Sequence, residues 1–347
     1  MTKLRARIAV LAAIALALAA LACWSLRVYT PAIAGRPNAP GEAIASLESV
    51  ELGGDRQWIL IRGRDRRAPI VLFLHGGPGM PMMYLAHAFQ RSLENDFLTV
   101  QWDRRGAGKS YSADIDASKM RMSREIADTI ALIEILQRRF GARQIILVGH
   151  SYGSQLGTLV AQRRPDLIRA YVGVGQVACK RADELAIQDA WIAQEARRRG
   201  DTEAVARATS GKPYDRESDL FRYGGEVVKF TSFVPLVLLG LRAPEYSLLD
   251  AYRVKQGVDF THAHIRNDVF SGALMDAATK LDVPVYFFEG RRDYTAPFSC
   301  VQTYFNRLQA PSKKLVWFSS SAHFPFLEQP DEFAKALRRV AAETSGR

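Results

Sequence analysis

The segment that most constrains the fold covers residues 145–154, with the sequence IILVGHSYGS. Its first four residues are aliphatic, as in a buried strand, and an apolar helical pattern follows directly. Between them stands Gly149-His150-Ser151-Tyr152-Gly153, which has the pattern G-x-S-x-G. The segment therefore predicts a strand, a sharp turn that presents Ser151, and a helix.

Ser151 is the candidate nucleophile of this turn. A nucleophilic serine in such a turn needs small residues two positions before and after it, because the backbone crowds these positions. Gly149 and Gly153 meet this requirement. The positive end of the following helix favours the negative oxygen of a tetrahedral intermediate, and we expect the backbone N–H of Tyr152 to donate to that oxygen.

The composition is that of a globular protein, because 48% of the 347 residues are hydrophobic and 24% are charged. The net charge is +11, but the 47 lysines and arginines are scattered among acidic residues. Neither a long basic run nor an aromatic stacking platform accompanies them. This pattern indicates a solvated basic surface, which could lie near anionic lipid, and argues against binding of nucleic acid.

Residues 1–29 predict an N-terminal membrane anchor or signal segment. Lys3, Arg5 and Arg7 precede an uncharged run of 17 residues from Ile8 to Trp24. A spanning helix needs about 17–25 residues, whereas the apolar core of a secretory signal has about 7–15. Cleavage after the A-x-A pattern at 20–22 and lipidation of Cys23 remain as alternatives. The basic flank places the catalytic domain outside the cytoplasm, in a bacterial periplasm or cell envelope.

The rest of the chain predicts one α/β domain with an insertion. Residues 30–42 are rich in proline and glycine and predict a linker. Strands and helices alternate over 43–177 and again over 281–347, which predicts a mostly parallel sheet with helices on both faces. Residues 178–280 break this alternation and predict a helical cap inserted over the active site. Within the cap, we expect the apolar stretch 230–241 to line the pocket or to pack the cap.

Two further candidate catalytic residues follow strand-like segments. Asp293 comes after the strand at 283–289, and His323 comes after the strand at 314–318. The chain order Ser, Asp, His is that of the α/β-hydrolases. We therefore expect Ser151 to attack a carbonyl carbon, His323 to transfer its proton, and Asp293 to orient the imidazole.

A glycine-rich turn supplies a second candidate donor to the oxyanion. His75-Gly76-Gly77-Pro78-Gly79 follows the buried strand at 69–74, at the end where hydrolases of this kind place such a donor. We expect the backbone N–H of Gly77 to donate there. Gly77 and Tyr152 are thus the predicted oxyanion hole.

With these motifs the chain resembles the prolyl iminopeptidase-related branch of the α/β-hydrolases, from about residue 43 onward. The resemblance rests on HGGPG at 75–79, DRRGAGKS at 103–110, GHSYGS at 149–154, GRRD at 290–293 and the loop of His323. It implies an α/β-hydrolase fold with a helical cap, no cofactor, and release of an N-terminal residue from short peptides.

The chain departs from this family at two motifs. Gly-Gly-Ser-Trp-Gly is usual around the nucleophile where this chain has GHSYG, and glutamine is usual at the position of Arg104. The family binds the free amine of its substrate with acidic cap residues, and the sequence does not show which acids of this cap serve. The candidates are Glu184, Glu195, Glu217, Glu226 and Glu245.

The sequence thus favours a serine hydrolase that acts through an acyl-enzyme, as an aminopeptidase on short peptides. One alternative is a carboxylesterase or lipase-like hydrolase of acyl esters, and another is a catalytically idle binding protein with the hydrolase fold. We expect no metal, because the three cysteines match no zinc pattern, and the resemblance implies that no cofactor is needed. Cys179 and Cys300 are predicted to be buried free thiols, with pairing as the alternative in an oxidising compartment.

Overall fold

The computed structural model describes Arg7, Ala12 and residues 14–16, 28–38, 40–269 and 274–346. The predicted anchor or signal segment therefore lies almost wholly outside the described residues, together with its cleavage and lipidation alternatives at 20–23. Among the residues that are described, no helix has the length and apolar character needed to cross a membrane.

The described residues form an eight-stranded sheet with the strand order β1-β2-β4-β3-β5-β6-β7-β8. The strands are β1 (Ile44–Leu52), β2 (Asp55–Gly63), β3 (Ile70–Leu74), β4 (Leu98–Asp103), β5 (Ile145–His150), β6 (Ile168–Val174), β7 (Val285–Gly290) and β8 (Lys313–Phe318). Only β2 runs against its neighbours; all the other adjacent pairs are parallel. The predicted mostly parallel α/β sheet is confirmed.

Two apolar layers cover the sheet, one on each face. Successive side chains of a strand point to opposite faces, and in β3 Leu72 and Leu74 join one core cluster whereas Val71 and Phe73 join the other. Every residue of β3, β5 and β7 is buried. Burial on both faces explains why these strands appear in the sequence as continuous apolar runs.

Helices connect the strands and flank the sheet. They are α1 (Ala86–Phe89), α2 (Met122–Phe140), α3 (Tyr152–Arg163), α4 (Arg181–Arg199), α5 (Thr202–Thr209), α6 (Arg216–Tyr223), α7 (Val234–Gly240), α8 (Leu248–Val269), α9 (Leu274–Ala277), α10 (Phe298–Arg307), α11 (Pro325–Glu328) and α12 (Pro330–Glu343). Short 3-10 turns cover Pro40–Glu42, Met83–Leu85, Gln90–Asn95, Gly108–Ser110, Ala117–Lys119 and Pro165–Leu167.

Helices α4 to α9 lie between β6 and β7, within the stretch predicted as the cap. They include a small core of their own around Trp191, whose ring stacks on Tyr294 of the α/β part at 4.2 Å. The exact limits of cap and linker stay a prediction.

Cys179 and Cys300 form a disulfide, so the expectation of two free thiols was wrong. Their Cα atoms are 5.5 Å apart although 121 positions separate them in the chain. Cys179 follows β6 and Cys300 lies in α10, and the fold brings these two elements together. The sequence spacing gives no sign of this proximity.

Candidate active site

Ser151 lies at the sharp turn between β5 and α3. Among the described residues it is the only one other than glycine with a positive φ, with φ 53° and ψ −124°. This conformation is costly for a residue with a Cβ, so the surroundings must hold it. The Ser151 N–H donates to the Val174 carbonyl at 3.0 Å, and the Ser151 carbonyl accepts from the Ser154 N–H at 2.8 Å. Strand β6 and the first turn of α3 therefore fix the turn.

The two glycines of the motif are required by backbone contacts. A Cβ on Gly149 would lie 2.3 Å from the Gly153 carbonyl oxygen, and a Cβ on Gly153 would lie 2.2 Å from the Leu74 carbonyl oxygen. These neighbours are backbone atoms, which cannot move aside without displacing β3 or α3. The turn that presents Ser151 thus depends on small residues on both sides.

His323 and Asp293 are hydrogen-bonded to each other below this turn. His323 Nδ1 donates to Asp293 Oδ2 at 2.8 Å, and Asp293 Oδ1 accepts from the Ala296 N–H at 2.8 Å. His323 Nε2 is buried and has no hydrogen-bond partner among the residues that the structure describes. Ser151 and His323 line one cleft. The structure therefore brings the three predicted catalytic residues together, with one imidazole nitrogen able to receive a proton.

The electrostatic surroundings of His323 favour its protonated form. Burial by itself lowers the pKa of this imidazole, but the charge and hydrogen bond of Asp293 raise it, as do the charges of Glu226 and Glu289. The balance raises the pKa of His323 to about 9. An imidazolium formed during catalysis would therefore be stabilised where it stands.

His150 supports His323 from within the serine turn. Its Nε2 donates to the His323 carbonyl oxygen at 2.9 Å, and the two rings are 4.7 Å apart. Burial holds the pKa of His150 well below its usual range, and the positive charge of His323 acts in the same direction. His150 is therefore a neutral donor that links the serine turn to the histidine loop.

Glu328 joins the histidine loop to the segment after α6. Its two carboxylate oxygens accept from the Ala322 N–H at 2.8 Å and from the Val228 N–H at 2.7 Å. Beside this bridge, the His323 N–H donates to the Glu226 carbonyl at 2.9 Å. The position of His323 thus depends on residues between β6 and β7 as well as on its own loop.

The glycine-rich turn after β3 reaches the serine turn. A Cβ on Gly76 would lie 2.9 Å from Ser151 Cβ, and one on Gly77 would lie 2.5 Å from the Met80 backbone nitrogen. Gly77 has a φ of 110° and lines the same cleft as Ser151. Tyr152 is the first residue of α3. Both predicted donor residues thus lie next to Ser151, and their donation to an oxyanion stays a prediction.

The cleft above Ser151 has a volume of about 370 Å³ and contains three of the five candidate acids. Glu184, Glu217 and Glu226 line it. Glu195 instead pairs with an arginine of its own helix at 2.7 Å, and Glu245 lines a separate cavity beside residues 31–33. Only these three of the five candidate acids are therefore placed where they can contact a substrate in the cleft.

Comparison with known proteins agrees with this geometry. Residues 71–336, most of the chain, match the family described as the alpha/beta hydrolase family. The chain belongs to the α/β hydrolase family. It is accordingly a hydrolase enzyme, and its fold is the one that the sequence predicts.

Three similar proteins show which kinds of α/β hydrolase this chain resembles. A probable aminopeptidase of Bacillus subtilis (strain 168), YbaC, is 30% identical over 309 residues, which cover 86% of this chain and 97% of the relative. The crystal structure of a proline iminopeptidase from Mycobacterium smegmatis is 19% identical with a TM-score of 0.65, covering 86% of this chain and 98% of that one. A crystallised membrane phospholipase A, described as a bacterial virulence factor, is 20% identical with a TM-score of 0.62, and the match covers 100% of both chains. The resemblance to prolyl iminopeptidase-like proteins is confirmed.

Arg104 connects the two halves of the predicted oxyanion hole in this α/β hydrolase. Its Nη1 donates to the His75 carbonyl at 2.7 Å, and its guanidinium lies 5.2 Å from the centre of the Tyr152 ring. Glu125 lies 3.4 Å from Arg104 Nε and accepts from the Tyr152 hydroxyl at 2.9 Å. The arginine that departs from the family pattern is thus buried and tied to both donor loops.

The sequence did not reveal the supporting roles of His150, Arg104 and Glu328. His150 and Arg104 stand inside recognised motifs, so their burial could have been suspected from position. Glu328 lies in α11 and contacts a segment 100 positions away in the chain. Such a contact follows from the packing of the insertion on the core, and a single sequence carries no signal of it.

Proposed function

We propose that this α/β hydrolase is a serine hydrolase that acts through an acyl-enzyme. Ser151 Oγ attacks the substrate carbonyl carbon while His323 Nε2 takes its proton, and the N–H groups of Gly77 and Tyr152 stabilise the oxyanion. The intermediate collapses, the bond to the leaving group breaks, and His323 returns the proton to the leaving nitrogen or oxygen. A water molecule then attacks the acyl-enzyme while His323 takes its proton. The bond to Ser151 Oγ breaks, His323 returns the proton to that oxygen, and the acid is released. Asp293 orients the imidazole throughout.

The contacts of His323 support this assignment. Its hydrogen bond to Asp293 fixes the proton on Nδ1, so Nε2 is the nitrogen that can act as a base. The strained backbone of Ser151 is the conformation expected for a nucleophile at a strand-to-helix turn. Two independent features of the site therefore agree with the same chemistry.

We further propose that the substrate is a short peptide with a free N-terminal amine. The observation that carries this proposal is the buried carboxylate of Glu226 in the cleft beside His323. Burial raises the pKa of Glu226 to about 7, although the positive charge of His323 and a hydrogen bond from Thr295 lower it. A substrate ammonium group would favour the ionised form of this acid. The similarity to a probable aminopeptidase supports the same substrate class.

A second candidate function is hydrolysis of acyl esters. An apolar cavity of about 840 Å³ adjoins the catalytic cleft, and the two share walls. The shared residues are Met80, Tyr84, Phe233 and Val258. An acyl chain whose carbonyl lies at Ser151 could therefore extend into this cavity and contact its apolar walls.

We also propose that the catalytic domain lies outside the cytoplasm, anchored by residues 8–24. The disulfide between Cys179 and Cys300 supports an oxidising compartment, because such bonds are rare in the cytosol. The structural similarity to a membrane phospholipase A over 100% of both chains also supports membrane attachment.

The decisive experiment compares free-amine substrates with esters. The full chain in detergent would be given aminoacyl arylamides, the same arylamides with the amine blocked, and short and medium acyl esters, with Ser151→Ala as the blank. We expect faster cleavage of the free-amine arylamides, abolished in Ser151→Ala because the members of a triad act as a unit. Equal cleavage of the blocked arylamides would contradict a need for the free amine, and cleavage of the esters alone would favour the second candidate.

A matched pair of variants tests the amine site. Glu226→Gln should lower kcat/KM for free-amine arylamides about 10- to 100-fold, since a hydrogen bond to a charged group contributes about 1.5–3 kcal/mol. Glu195→Gln is the control, because Glu195 lies outside the cleft. Because the acyl esters carry no amine, a fall in ester cleavage by Glu226→Gln would show that the substitution disturbs His323 itself. If both variants match the parent on every substrate, Glu226 does not bind the amine.

A further inference from the structure

The exposed large apolar side chains of this protein are concentrated in one region. Among the described residues from 28 onward, all of them are either Tyr29 or lie between residues 228 and 252. They are Tyr29, Val228, Val234, Val237, Leu238, Leu241, Leu248, Leu249 and Tyr252. Single exposed apolar residues are common on soluble proteins, whereas a concentration of this kind marks an interaction surface. Tyr29, Val237, Leu241 and Leu248 of this group line one cavity, and we call these four residues, with the exposed Leu238 next to Val237, the apolar face.

The large apolar cavity opens within the apolar face. Its volume is about 840 Å³, in the range of pockets that bind small apolar ligands. Val237, Leu241 and Leu248 belong to both the face and the cavity lining. The cavity also shares Met80 and Tyr84 with the catalytic cleft, so the apolar face lies next to the site of chemistry.

The chain enters the folded domain at this same face. Tyr29 lines the apolar cavity, and its N–H donates to the Pro244 carbonyl at 3.0 Å. Arg62 holds the next residues through its Nη1, which donates to Thr30 Oγ1 at 2.5 Å and to the Pro31 carbonyl at 2.6 Å. The position of residue 29 is therefore fixed on the domain.

The distance from this point to the apolar N-terminal run is short. Trp24 ends that run, and five steps along the chain separate it from Tyr29. Five residues span at most about 17 Å even when fully extended. A bilayer that holds residues 8–24 therefore lies within about 17 Å of Tyr29 and of the cavity that Tyr29 lines.

We propose that the apolar face rests on the surface of a lipid bilayer, with the cavity open to the acyl chains of its lipids. The face is placed there by the chain entry, and its side chains would be removed from water in the interfacial layer. Arg242, at the cavity rim and exposed, would meet anionic headgroups. This proposal rests on the proposed membrane anchor and is independent of which bond the enzyme cleaves.

Lipid-quenching fluorescence on the full chain tests the proposal. Leu238→Cys places a label on the face, and Arg143→Cys places one just before β5, at the end of that strand opposite Ser151. Both positions are exposed, so labelling should not disturb the fold. Both variants would carry Cys23→Ala, and the disulfide protects the remaining cysteines. The proteins would be inserted in phosphatidylethanolamine and phosphatidylglycerol vesicles with nitroxide-labelled acyl chains, and vesicle-bound protein recovered by flotation.

We expect the label at 238 to be quenched at least about twofold more than the label at 143, because an interfacial surface lies about 5–10 Å into the headgroup region. Equal quenching of floated protein at both positions would overturn the proposal while leaving the anchor intact. If the label at 238 is shielded from water but is not quenched by lipid, a second copy of the chain covers the face, and the proposal is overturned. Protein that does not float at all would contradict both the anchor and the face. None of these quenching and flotation results depends on hydrolase activity.

Discussion

The titration of His323 should be visible in the rate of the enzyme. The charged and titratable groups around this imidazole are Asp293, Glu184, Glu226, Glu289 and His150. Burial lowers its pKa, but the carboxylates outweigh burial and raise it to about 9. Since only the neutral imidazole can act as a base, we expect kcat/KM to rise about tenfold per pH unit below pH 9 and then to level off. An uncharged ester substrate should be used, so that titration of a substrate amine does not enter the profile.

Asp293→Asn provides the control for this profile. Removing the carboxylate removes the strongest influence that raises the pKa of His323, so the inflection should move to lower pH. The rate at the plateau should fall about 10⁴-fold, because the tautomer and orientation of the imidazole are lost. An inflection that stays in place would mean that a group other than His323 limits the rate.

Single residues were predictable where a local motif fixes them. Ser151 follows from G-x-S-x-G, and Asp293 and His323 follow from their places after strand-like segments, because parallel strands bring their carboxyl ends to one edge. Glu226 was only one of five candidate acids, and no local motif distinguished it from the other four. It reaches the cleft through the packing of the segment after α6, and its burial, which decides its chemistry, depends on residues far away in the chain.

Arg104 links elements that the oxyanion hole needs in register. It joins the turn after β3, through the His75 carbonyl, to the start of α3, through Tyr152 and Glu125. Arg104→Met leaves Glu125 buried without its cation, which should reduce the free energy of unfolding by about 3 kcal/mol. The loops that carry Gly77 and Tyr152 would lose a common support, so kcat should fall more than KM rises.

Arg104→Gln is the matched variant, because its side-chain amide can still donate to the His75 carbonyl. Glutamine is also the usual residue at this position in the family that the chain resembles. We expect Arg104→Gln to retain more of kcat than Arg104→Met, measured on one substrate alongside denaturant unfolding. Equal loss of stability with unchanged kcat in both variants would limit Arg104 to a purely structural role.

Elements with a strong local pattern were predicted well, and elements set by distant packing were not. Helix α2 has the bounds 122–140 that its apolar spacing and the following Gly141 indicate. Strand β6 ends at Val174, three residues before the end of the stretch 43–177 in which the sequence predicts alternating strands and helices. Gly175 follows with a φ of 52°, and a Cβ there would lie 2.6 Å from His323 Nδ1. His323, which is distant in sequence, thus occupies the space beside the residue that follows the strand.

At the scale of the whole molecule, one covalent bond ties the two parts of the α/β core and the insertion together. Cys179 stands between β6 and α4, where the chain leaves the first part of the core. Cys300 lies in α10, after the chain has returned through β7. Because the bond closes a loop that contains the helices α4 to α9, it limits how far the unfolded chain can spread.

Removal of this disulfide should lower the stability of the whole domain. Closing a loop between cysteines 121 positions apart restricts the unfolded chain, and such bonds typically contribute about 2–4 kcal/mol. For a domain of about 300 residues that corresponds to a fall in Tm of about 3–6 °C, because the entropy of unfolding grows with chain length. The double variant Cys179→Ser, Cys300→Ser should show this fall in thermal unfolding, and a reductant should produce it in the parent. The reductant should leave the Tm of the double variant unchanged; a parent whose thiols are released without any fall in Tm would contradict a stabilising role.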